Sequence, residues 1–211
     1  MGEANPSVCI IDDDAEFRDS VGRLLRSVGL NIREFSSVSD FFAADPTNGP
    51  TCLVLDVRMP GRSGLELQRD LVAANRQVPI IFMTAHGDVP MTVQAMKGGA
   101  IEFLTKPFRD QELLDAIETG LARDRARREN EKALSALRAR FNMLSSRERE
   151  IMFQATAGRL NKQIAHEMGI AISTVKVHRT NLMRKMKARS LPELSRMADI
   201  LKSAPDKSQR S

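Results

Sequence analysis

Cysteine and long apolar segments are scarce in this chain of 211 residues. Each shortage excludes certain classes of protein. The two cysteines, Cys9 and Cys52, are too few for a disulfide framework or a metal cluster, and both lie in apolar segments typical of buried positions. No segment approaches the roughly 18 consecutive apolar residues of a membrane helix. The first residues, MGEANPS, lack the basic and then apolar segments of a secretory signal. We therefore expect a cytoplasmic protein with no membrane partner.

Each half of the chain is also short of charge of one sign. Residues 1–120 carry 11 Lys and Arg against 18 Asp and Glu, a net charge of −7, whereas residues 121–211 carry 21 against 9, a net charge of +12. The length allows two small domains, each with its own core. A strongly basic half has the electrostatic character of a nucleic-acid binder, although a basic surface can equally be solvated.

Short β-branched segments alternate with amphipathic helical segments through the acidic half. Helical spacing follows each of the first four predicted strands, and a fifth helix is predicted from about Asp110. Five strands in alternation with five helices predict an α/β fold, a five-stranded parallel, doubly wound sheet covered on both faces. The predicted strands are 8–11, 31–35, 51–56, 79–84 and 101–104.

Polar residues follow the predicted strands at their carboxyl ends, where open parallel sheets of this kind carry their functional sites. Several carboxylates with a single lysine are unfavourable together unless a cation binds between them. Carboxylate oxygens suit Mg²⁺, which leaves its other positions to water and phosphate oxygens. The sequence therefore predicts a magnesium site suited to a phosphoryl group. Its residues are Asp12, Asp13, Asp56, Thr84 and Lys106.

The segment VCIIDDDAEFRDS, residues 8–20, has a second interpretation. Asp13 and Glu16 have the spacing of a capping box, with Asp in place of Ser or Thr, at the start of the following helix. The two interpretations are compatible, because Asp13 could be tied to the first helical turn while it serves as a metal ligand. Asp14 and Glu16 are expected to point to solvent.

Proline and glycine are absent from residues 121–141, which favours a helical linker that continues the fifth helix. Leu134, Leu137, Phe141 and Leu144 follow a 3-4-3 spacing. This spacing fits either a short coiled coil or a helix whose apolar side docks on the following domain. The predicted division is a first domain at 1–122, a helical linker at 123–141, a second domain at 142–202 and a disordered tail at 203–211.

The basic half predicts an all-α domain of four helices. Ser145 and Glu148 have capping-box spacing at its start, and Gly158 and Gly169 each end a helix. A helix, a turn containing glycine and a basic helix form the helix-turn-helix pattern, whose second helix enters the major groove of DNA. The predicted helices follow Ser145, run from about Asn161 to Met168, cover STVKVHRTNLMRKMKA at 173–188, and start again near Leu191 or Pro192.

Helical periodicity divides the basic helix into two faces. Val175, His178, Leu182 and Met186 form an apolar stripe, so an inward His178 is favoured over one that contacts a base. The alternative for the opposite face is a charged surface that is merely solvated. The predicted base-reading residues are Lys176, Val177, Thr180 and Arg184, with Arg179 beside them. The predicted phosphate contacts are Asn161, Lys162 and Lys185.

These motifs together resemble a two-component response regulator of the FixJ/NarL type. The first domain carries IIDDD, LDVRMPGRSG, MTAHGDVPM and FLTKPF; the second carries LSSREREI, NKQIAHEMGI and STVKVHRTNLMRKM. The segment AHGDVPM is similar to the corresponding segment in the FixJ branch of the family. The resemblance implies a receiver domain followed by a LuxR-type helix-turn-helix output domain. It implies a transcriptional regulator controlled by phosphorylation, and not an enzyme.

The resemblance also implies roles for individual residues. Asp56 would accept a phosphoryl group from a sensor histidine kinase. Movement of Thr84 toward the phosphoryl group would let Phe103 turn inward and favour a homodimer on promoter DNA, with RNA polymerase as a further partner. The implied Mg²⁺ ligands are Asp12, Asp13, Asp56 and the backbone carbonyl of Arg58, and the implied phosphoryl contacts are Thr84 and Lys106.

Two departures and two rival functions accompany the resemblance. Family members often have Ser or Thr at the position of Ala171, so Ser173 is expected to cap the recognition helix instead. Arg58 and His86 border the site and are expected to tune the phosphoryl lifetime. Phosphatases of the haloacid dehalogenase type need an Asp two residues after the nucleophile, and Arg58 stands there. A DNA-binding regulator with a vestigial receiver is the remaining alternative.

Overall fold

The computed structural model of the protein describes residues 5–45, 48–85 and 87–203. The chain divides into two compact units, Met1–Arg128 and Glu129–Ser211. Among the described residues, no helix is both long enough and apolar enough to cross a membrane. The predicted disordered tail lies outside the described residues except for Ser203, and His86 also lies outside them.

The first unit is an α/β domain built on one five-stranded parallel sheet, as the alternating pattern predicts. Numbered along the chain, the strands lie in the order 2-1-3-4-5 within the sheet. The strand bounds match the predicted ones to within one residue. The strands are β1 (Ser7–Ile11), β2 (Asn31–Phe35), β3 (Thr51–Asp56), β4 (Ile80–Thr84) and β5 (Glu102–Thr105). The helices are α1 (Ala15–Ser27), α2 (Val38–Ala43), α3 (Gly64–Ala73), α4 (Val89–Lys97) and α5 (Asp110–Asn142).

Helices cover both faces of this sheet, which explains why β1, β3 and β4 are apolar except at their ends. Every residue of these three strands is buried, and alternate side chains enter opposite cores. Val8, Ile10 and Val54 pack with α1 and α5, whereas Leu53 and Leu55 pack with α2, α3 and α4. Cys9 and Cys52 are buried free thiols, as expected.

The predicted helical linker is part of α5, which runs without interruption from Asp110 to Asn142. Leu137 is buried in the core of the second unit together with Leu144, and Phe141 packs against that core. Of the two interpretations of the 3-4-3 spacing, docking on the following domain is therefore the one that fits.

The second unit contains the four predicted helices, which pack around Val175, Leu182 and Met186 of the basic helix. The capping box of Ser145 and Glu148 is present. The helices are α6 (Ser146–Thr156), α7 (Asn161–Met168), α8 (Ile172–Met186) and α9 (Leu191–Ser203).

The expected cap of the basic helix is wrong. Ala171 occupies the N-cap position of α8 in extended backbone conformation and provides no side-chain cap. Because the helix begins at Ile172, Ser173 already lies in its first turn and does not precede it. Gly169 ends α7 with a φ of +63°, a left-handed conformation that favours glycine at this turn.

Candidate functional site

Three carboxylates meet beyond the carboxyl ends of β1 and β3. Asp12 and Asp13 directly follow β1, and Asp56 is the last residue of the adjacent strand β3. Each offers a carboxylate oxygen that lies within 4.8 Å of those of the other two. Asp12 and Asp56 are buried, whereas Asp13 is exposed. The predicted convergence of these carboxylates is therefore confirmed.

One carboxylate oxygen of Asp56, Oδ1, is buried and has no hydrogen-bond partner within the described part of the chain. Burial raises the pKa of this carboxyl to about 6; Lys106 opposes the increase, and the charge of Asp12 adds to it. A buried oxygen without a partner costs free energy, so it requires a functional or ligand-based explanation.

Lys106 contributes the positive charge of the site. Its Nζ donates to Asp12 Oδ2 at 2.7 Å and lies 3.6 Å from the centroid of the Phe17 ring. The backbone N–H of Asp14 donates to Asp12 Oδ1 at 2.9 Å, and Arg18 Nη1 donates to the backbone oxygen of Asp12 at 2.6 Å. These bonds fix the Asp12 carboxylate, and its hydrogen bond with Lys106 positions the ammonium group in the site.

The three consecutive carboxylates at the start of α1 have different roles. Asp14 is the N-cap of α1, and its Oδ1 accepts from the backbone N–H groups of Glu16 and Phe17 at 3.0 and 3.1 Å. The predicted capping box of Asp13 and Glu16 is therefore wrong by one residue, because the helix begins at Ala15. Asp14 and Glu16 are exposed, as expected.

Thr84 and Phe103 lie on the neighbouring strands β4 and β5. Thr84 is buried at the end of β4, and the half-buried ring of Phe103 lies 6.2 Å from that of Phe82. A Cβ at Gly87 would lie 2.9 Å from Phe103 Cε1 and from Thr105 Cγ2. Glycine at position 87 therefore lets the backbone pass close to Phe103, a requirement that the sequence pattern did not reveal.

The exposed face of α8 contains the residues predicted to read bases. Lys176, Val177, Thr180 and Arg184 are exposed, while the apolar stripe is buried except for the half-buried His178. The predicted division of the helix into two faces is confirmed for these positions.

Two of the predicted DNA contacts join α7 to α8. Arg179 Nη1 donates to Asn161 Oδ1 at 2.7 Å. The predicted contact Lys162 is exposed on the first turn of α7. The Arg179–Asn161 bond fixes the two helices of the helix-turn-helix pair to one another.

Lys185, a predicted phosphate contact, forms an internal ion pair. Its Nζ donates at 2.7 Å to Oε2 of Glu148, which is buried at the start of α6. Burial raises the pKa of Glu148, but hydrogen bonds from Lys185 and Ser145 outweigh this effect and hold the pKa below its ordinary value. Sequence reasoning missed this pair because its partners are 37 residues apart.

Two family models match the chain, one for each unit. The model for the response regulator receiver domain matches residues 8–118, and the model for bacterial regulatory proteins of the luxR family matches residues 142–198. The first match contains the carboxylate cluster, and the second contains α6, α7 and α8.

Full-length relatives are similar over nearly the whole chain. Nodulation protein W of Bradyrhizobium diazoefficiens is 49% identical over 92% of this chain and 86% of its own. The transcriptional regulatory protein FixJ of Azorhizobium caulinodans is 45% identical over 97% of each chain. A solved structure of the response regulator StyR, 48% identical, superposes with a TM-score of 0.86 over 93% of this chain and 99% of that one.

The chain belongs to the FixJ/NarL-type response regulators. It has a receiver domain and a LuxR-type DNA-binding output domain, and it is a phosphorylation-controlled transcriptional regulator of a two-component system. A receiver domain implies a histidine kinase as partner, and a LuxR-type domain implies promoter DNA. The alternative of a vestigial receiver is not favoured.

Proposed function

We propose that Asp56 is the phosphoacceptor of this response regulator. The observation that carries the proposal is the buried Oδ1 of Asp56, which has no hydrogen-bond partner among the described residues and lies in a cluster with the carboxylates of Asp12 and Asp13. An Asp56 oxygen attacks the phosphorus of a kinase phosphohistidine, so a P–O bond forms while the P–N bond breaks. The released electron pair stays on the imidazole nitrogen of the kinase.

The donor set of the cluster fits Mg²⁺. Three carboxylates supply hard oxygen ligands, and one of their buried oxygens has no hydrogen bond from any residue that the structure describes. When bound, the ion would supply positive charge to offset the negative charge of the phosphoryl group and of the carboxylates. The residues that would hold it are Asp12, Asp13, Asp56 and the backbone carbonyl of Arg58.

Lys106 and Thr84 are the proposed contacts of the phosphoryl oxygens. Lys106 provides an ammonium next to Asp12, and Thr84 ends the strand next to that of Asp56. Movement of Thr84 toward the new charge would let the half-buried Phe103 turn inward. The face from α4 to β5, where Val89 is 77% exposed, would then favour a homodimer.

The exposed face of α8 is the proposed reader of promoter DNA. Lys176 can donate to guanine acceptors, Thr180 and Arg184 extend the polar face, and Val177, which is 60% exposed, can meet a thymine methyl group. Lys162 is a proposed phosphate contact. Asn161 and Arg179 would approach the DNA backbone as a hydrogen-bonded pair. The ammonium of Lys185 is also a proposed phosphate contact, but it already donates to Glu148.

The remaining proposals concern the setting of this function. The protein would accept and slowly lose a phosphoryl group as a regulator, without turning over a substrate. It would act in the cytoplasm, where DNA and RNA polymerase are available to it. The proposed division is a receiver at 1–122, a linker at 123–141 and an output domain at 142–202, although the contacts of Asp124 extend the first compact unit to Arg128.

The test is labelling by a small phosphodonor. Purified protein is incubated with Mg²⁺ and acetyl phosphate, and covalent phosphate is measured by mass spectrometry. Wild type and the control Asp115→Asn, a change of an exposed aspartate, should be labelled, whereas Asp56→Asn should not. Labelled wild type should also select a DNA motif from a random-sequence pool more tightly than Asp56→Asn does. Equal labelling of all three proteins would overturn the site assignment.

A further inference from the structure

The ammonium of Lys106 contacts a carboxylate and an aromatic ring. Asp12 Oδ2 accepts a hydrogen bond from Lys106 Nζ at 2.7 Å, and the centroid of the Phe17 ring lies 3.6 Å from the same nitrogen. The Lys106 side chain is only 17% exposed, so the ring replaces part of its water. A lysine ammonium over the face of a phenylalanine is attracted by the ring quadrupole, and more strongly when it is desolvated.

The Phe17 ring differs from a polar neighbour in the way it attracts the ammonium of Lys106. It attracts the charge of Lys106 through its π face, takes up at most one N–H group, and adds no negative charge that would repel a phosphoryl oxygen. Among the described residues Asp12 uses one of the three donors, so with one N–H directed at the ring a third remains available to a phosphoryl oxygen. We propose that Phe17 is a positioning residue for phosphoryl transfer, which holds the Lys106 ammonium at the site through its ring face. This inference rests on the proposed function of Asp56 and Lys106.

The fold fixes Phe17 from three directions. Its backbone N–H donates to the N-cap Asp14 at 3.1 Å. Its ring meets that of Phe108 edge to face, with centroids 6.1 Å apart and planes at 88°. Both rings pack against the core that α1 and α5 share with the sheet. The ring face therefore has a defined direction before any phosphoryl group arrives.

Loss of the ring face should slow the transfer step. Without it, the ammonium can leave Asp12 for water, and less of the positive charge is ready when charge develops on the transferred group. Phe17→Leu should therefore lower the rate of labelling by acetyl phosphate about fivefold, within the range that a partly desolvated cation–π contact provides. Phe17 has no oxygen or nitrogen in its side chain to offer a metal ion, so the Mg²⁺ affinity should remain within about twofold.

The experiment compares five proteins by their initial rates of labelling at saturating Mg²⁺. They are wild type, Phe17→Leu, Phe17→Tyr, Lys106→Met and the double variant Phe17→Leu/Lys106→Met. Tyr keeps the ring face, so Phe17→Tyr should label at close to the wild-type rate. In the Lys106→Met background there is no ammonium to position, so Phe17→Leu should have no further effect.

Phe41→Leu is the matched control. Phe41 is also half-buried and also forms an edge-to-face pair, with Phe35 at 5.6 Å, but on the other face of the sheet. It should lose a similar amount of stability and keep its labelling rate. Should Phe17→Leu fail to fold, Phe17→Met replaces it, because the unbranched methionine side chain adapts to the space of the ring without providing a ring face.

Three results would overturn the inference. They are a wild-type rate for Phe17→Leu, an equal fractional loss of rate with and without Lys106, and an equal loss in Phe41→Leu. Failure of the proposed function looks different, because wild type would then be unlabelled or Asp56→Asn would be labelled. In that case the inference about Phe17 falls with it.

Discussion

Strand β3 has a buried carboxylate at each end, and the two have opposite surroundings. At its amino end, Asp124 of α5 is 1% exposed and all its partners are in place. Oδ2 accepts from the backbone N–H of Thr51 at 2.9 Å and from Arg128 Nε at 2.7 Å, while Oδ1 accepts from Arg127 at 2.6 and 3.0 Å. At the carboxyl end, Asp56 is 8% exposed and its Oδ1 has no partner within the part of the chain that the structure describes.

The difference shows how to tell a structural carboxylate from a functional one. Asp124 is compensated by two arginines and a backbone amide, so its burial ties α5 to the sheet. Burial disfavours the charge of Asp56, Lys106 opposes this effect, and the neighbouring carboxylate of Asp12 adds to it. Only the second arrangement leaves capacity for a ligand or a reaction.

Removal of Asp124 should have the largest effect on stability. Asp124→Ala removes the buried carboxylate that binds Arg127, Arg128 and the backbone N–H of Thr51 together, so the free energy of unfolding should fall by about 3–5 kcal/mol. Chemical denaturation followed by circular dichroism measures the loss. Hydrogen exchange at the amides of β3 and α5 assigns it to the first unit.

Two controls sharpen this prediction. Glu118→Ala changes an exposed residue of the same helix and should alter the free energy of unfolding by less than about 0.5 kcal/mol. Asp124→Asn keeps an acceptor for the backbone N–H of Thr51 but loses the negative charge. Its loss in free energy of unfolding should therefore lie between those of Glu118→Ala and Asp124→Ala. A loss below about 1 kcal/mol in Asp124→Ala would mean that the arginines relax into water without cost.

The two ends of β3 also differ in how far the sequence predicts them. The residues after each strand converge because parallel strands end at one edge, so Asp12, Asp13 and Asp56 followed from the alternating pattern alone. Asp124 was assigned to a linker because the spacing of a helix does not reveal which strand lies against it. Local dihedral angles decided the cap: Asp13 and Asp14 both have a suitable side chain, and only the backbone selects Asp14.

The output domain also has a buried carboxylate that is paired with a cation, namely Glu148 with Lys185. Glu148→Gln removes the charge that receives Lys185, so the second unit should lose about 2 kcal/mol of stability at neutral pH, as for a hydrogen bond between charged groups. Hydrogen exchange at the amides of α6 and α8 in the full chain measures it. Glu150→Gln is the matched control, since its ion pair with Arg147 is exposed.

The same pair makes the stability depend on pH in a defined direction. The pKa of Glu148 is held below its ordinary value of 4.5 in the folded protein. Its contribution is therefore complete above that value and is lost as the pH falls through the lower, folded-state pKa. The stability difference between wild type and Glu148→Gln should be constant near neutral pH and shrink in acid. A difference that grows in acid would contradict the assignment.

A divalent cation should stabilise the uncompensated end of β3 and not the compensated one. At a Mg²⁺ concentration tenfold above its dissociation constant, wild type should gain about 1.4 kcal/mol by mass action. Asp13→Asn should lose most of this gain because it removes a proposed ligand. Asp14→Asn should keep it, since asparagine also serves as an N-cap. Thermal unfolding with Mg²⁺ or with a chelator measures the gain, and equal gains in both variants would remove Asp13 from the ligand set.

The lysines of α8 extend the comparison to positive charge. Lys185 is compensated by Glu148, whereas Lys176 is exposed on the face proposed to read bases. Lys176→Ala should therefore weaken binding to the selected DNA motif by about fivefold and relax the preference at one base position. Lys162→Ala should weaken binding to all sequences alike and lower the salt dependence by one phosphate contact. Selection from a random-sequence pool with each variant separates the two effects, and an unchanged motif for Lys176→Ala would exclude this lysine from base recognition.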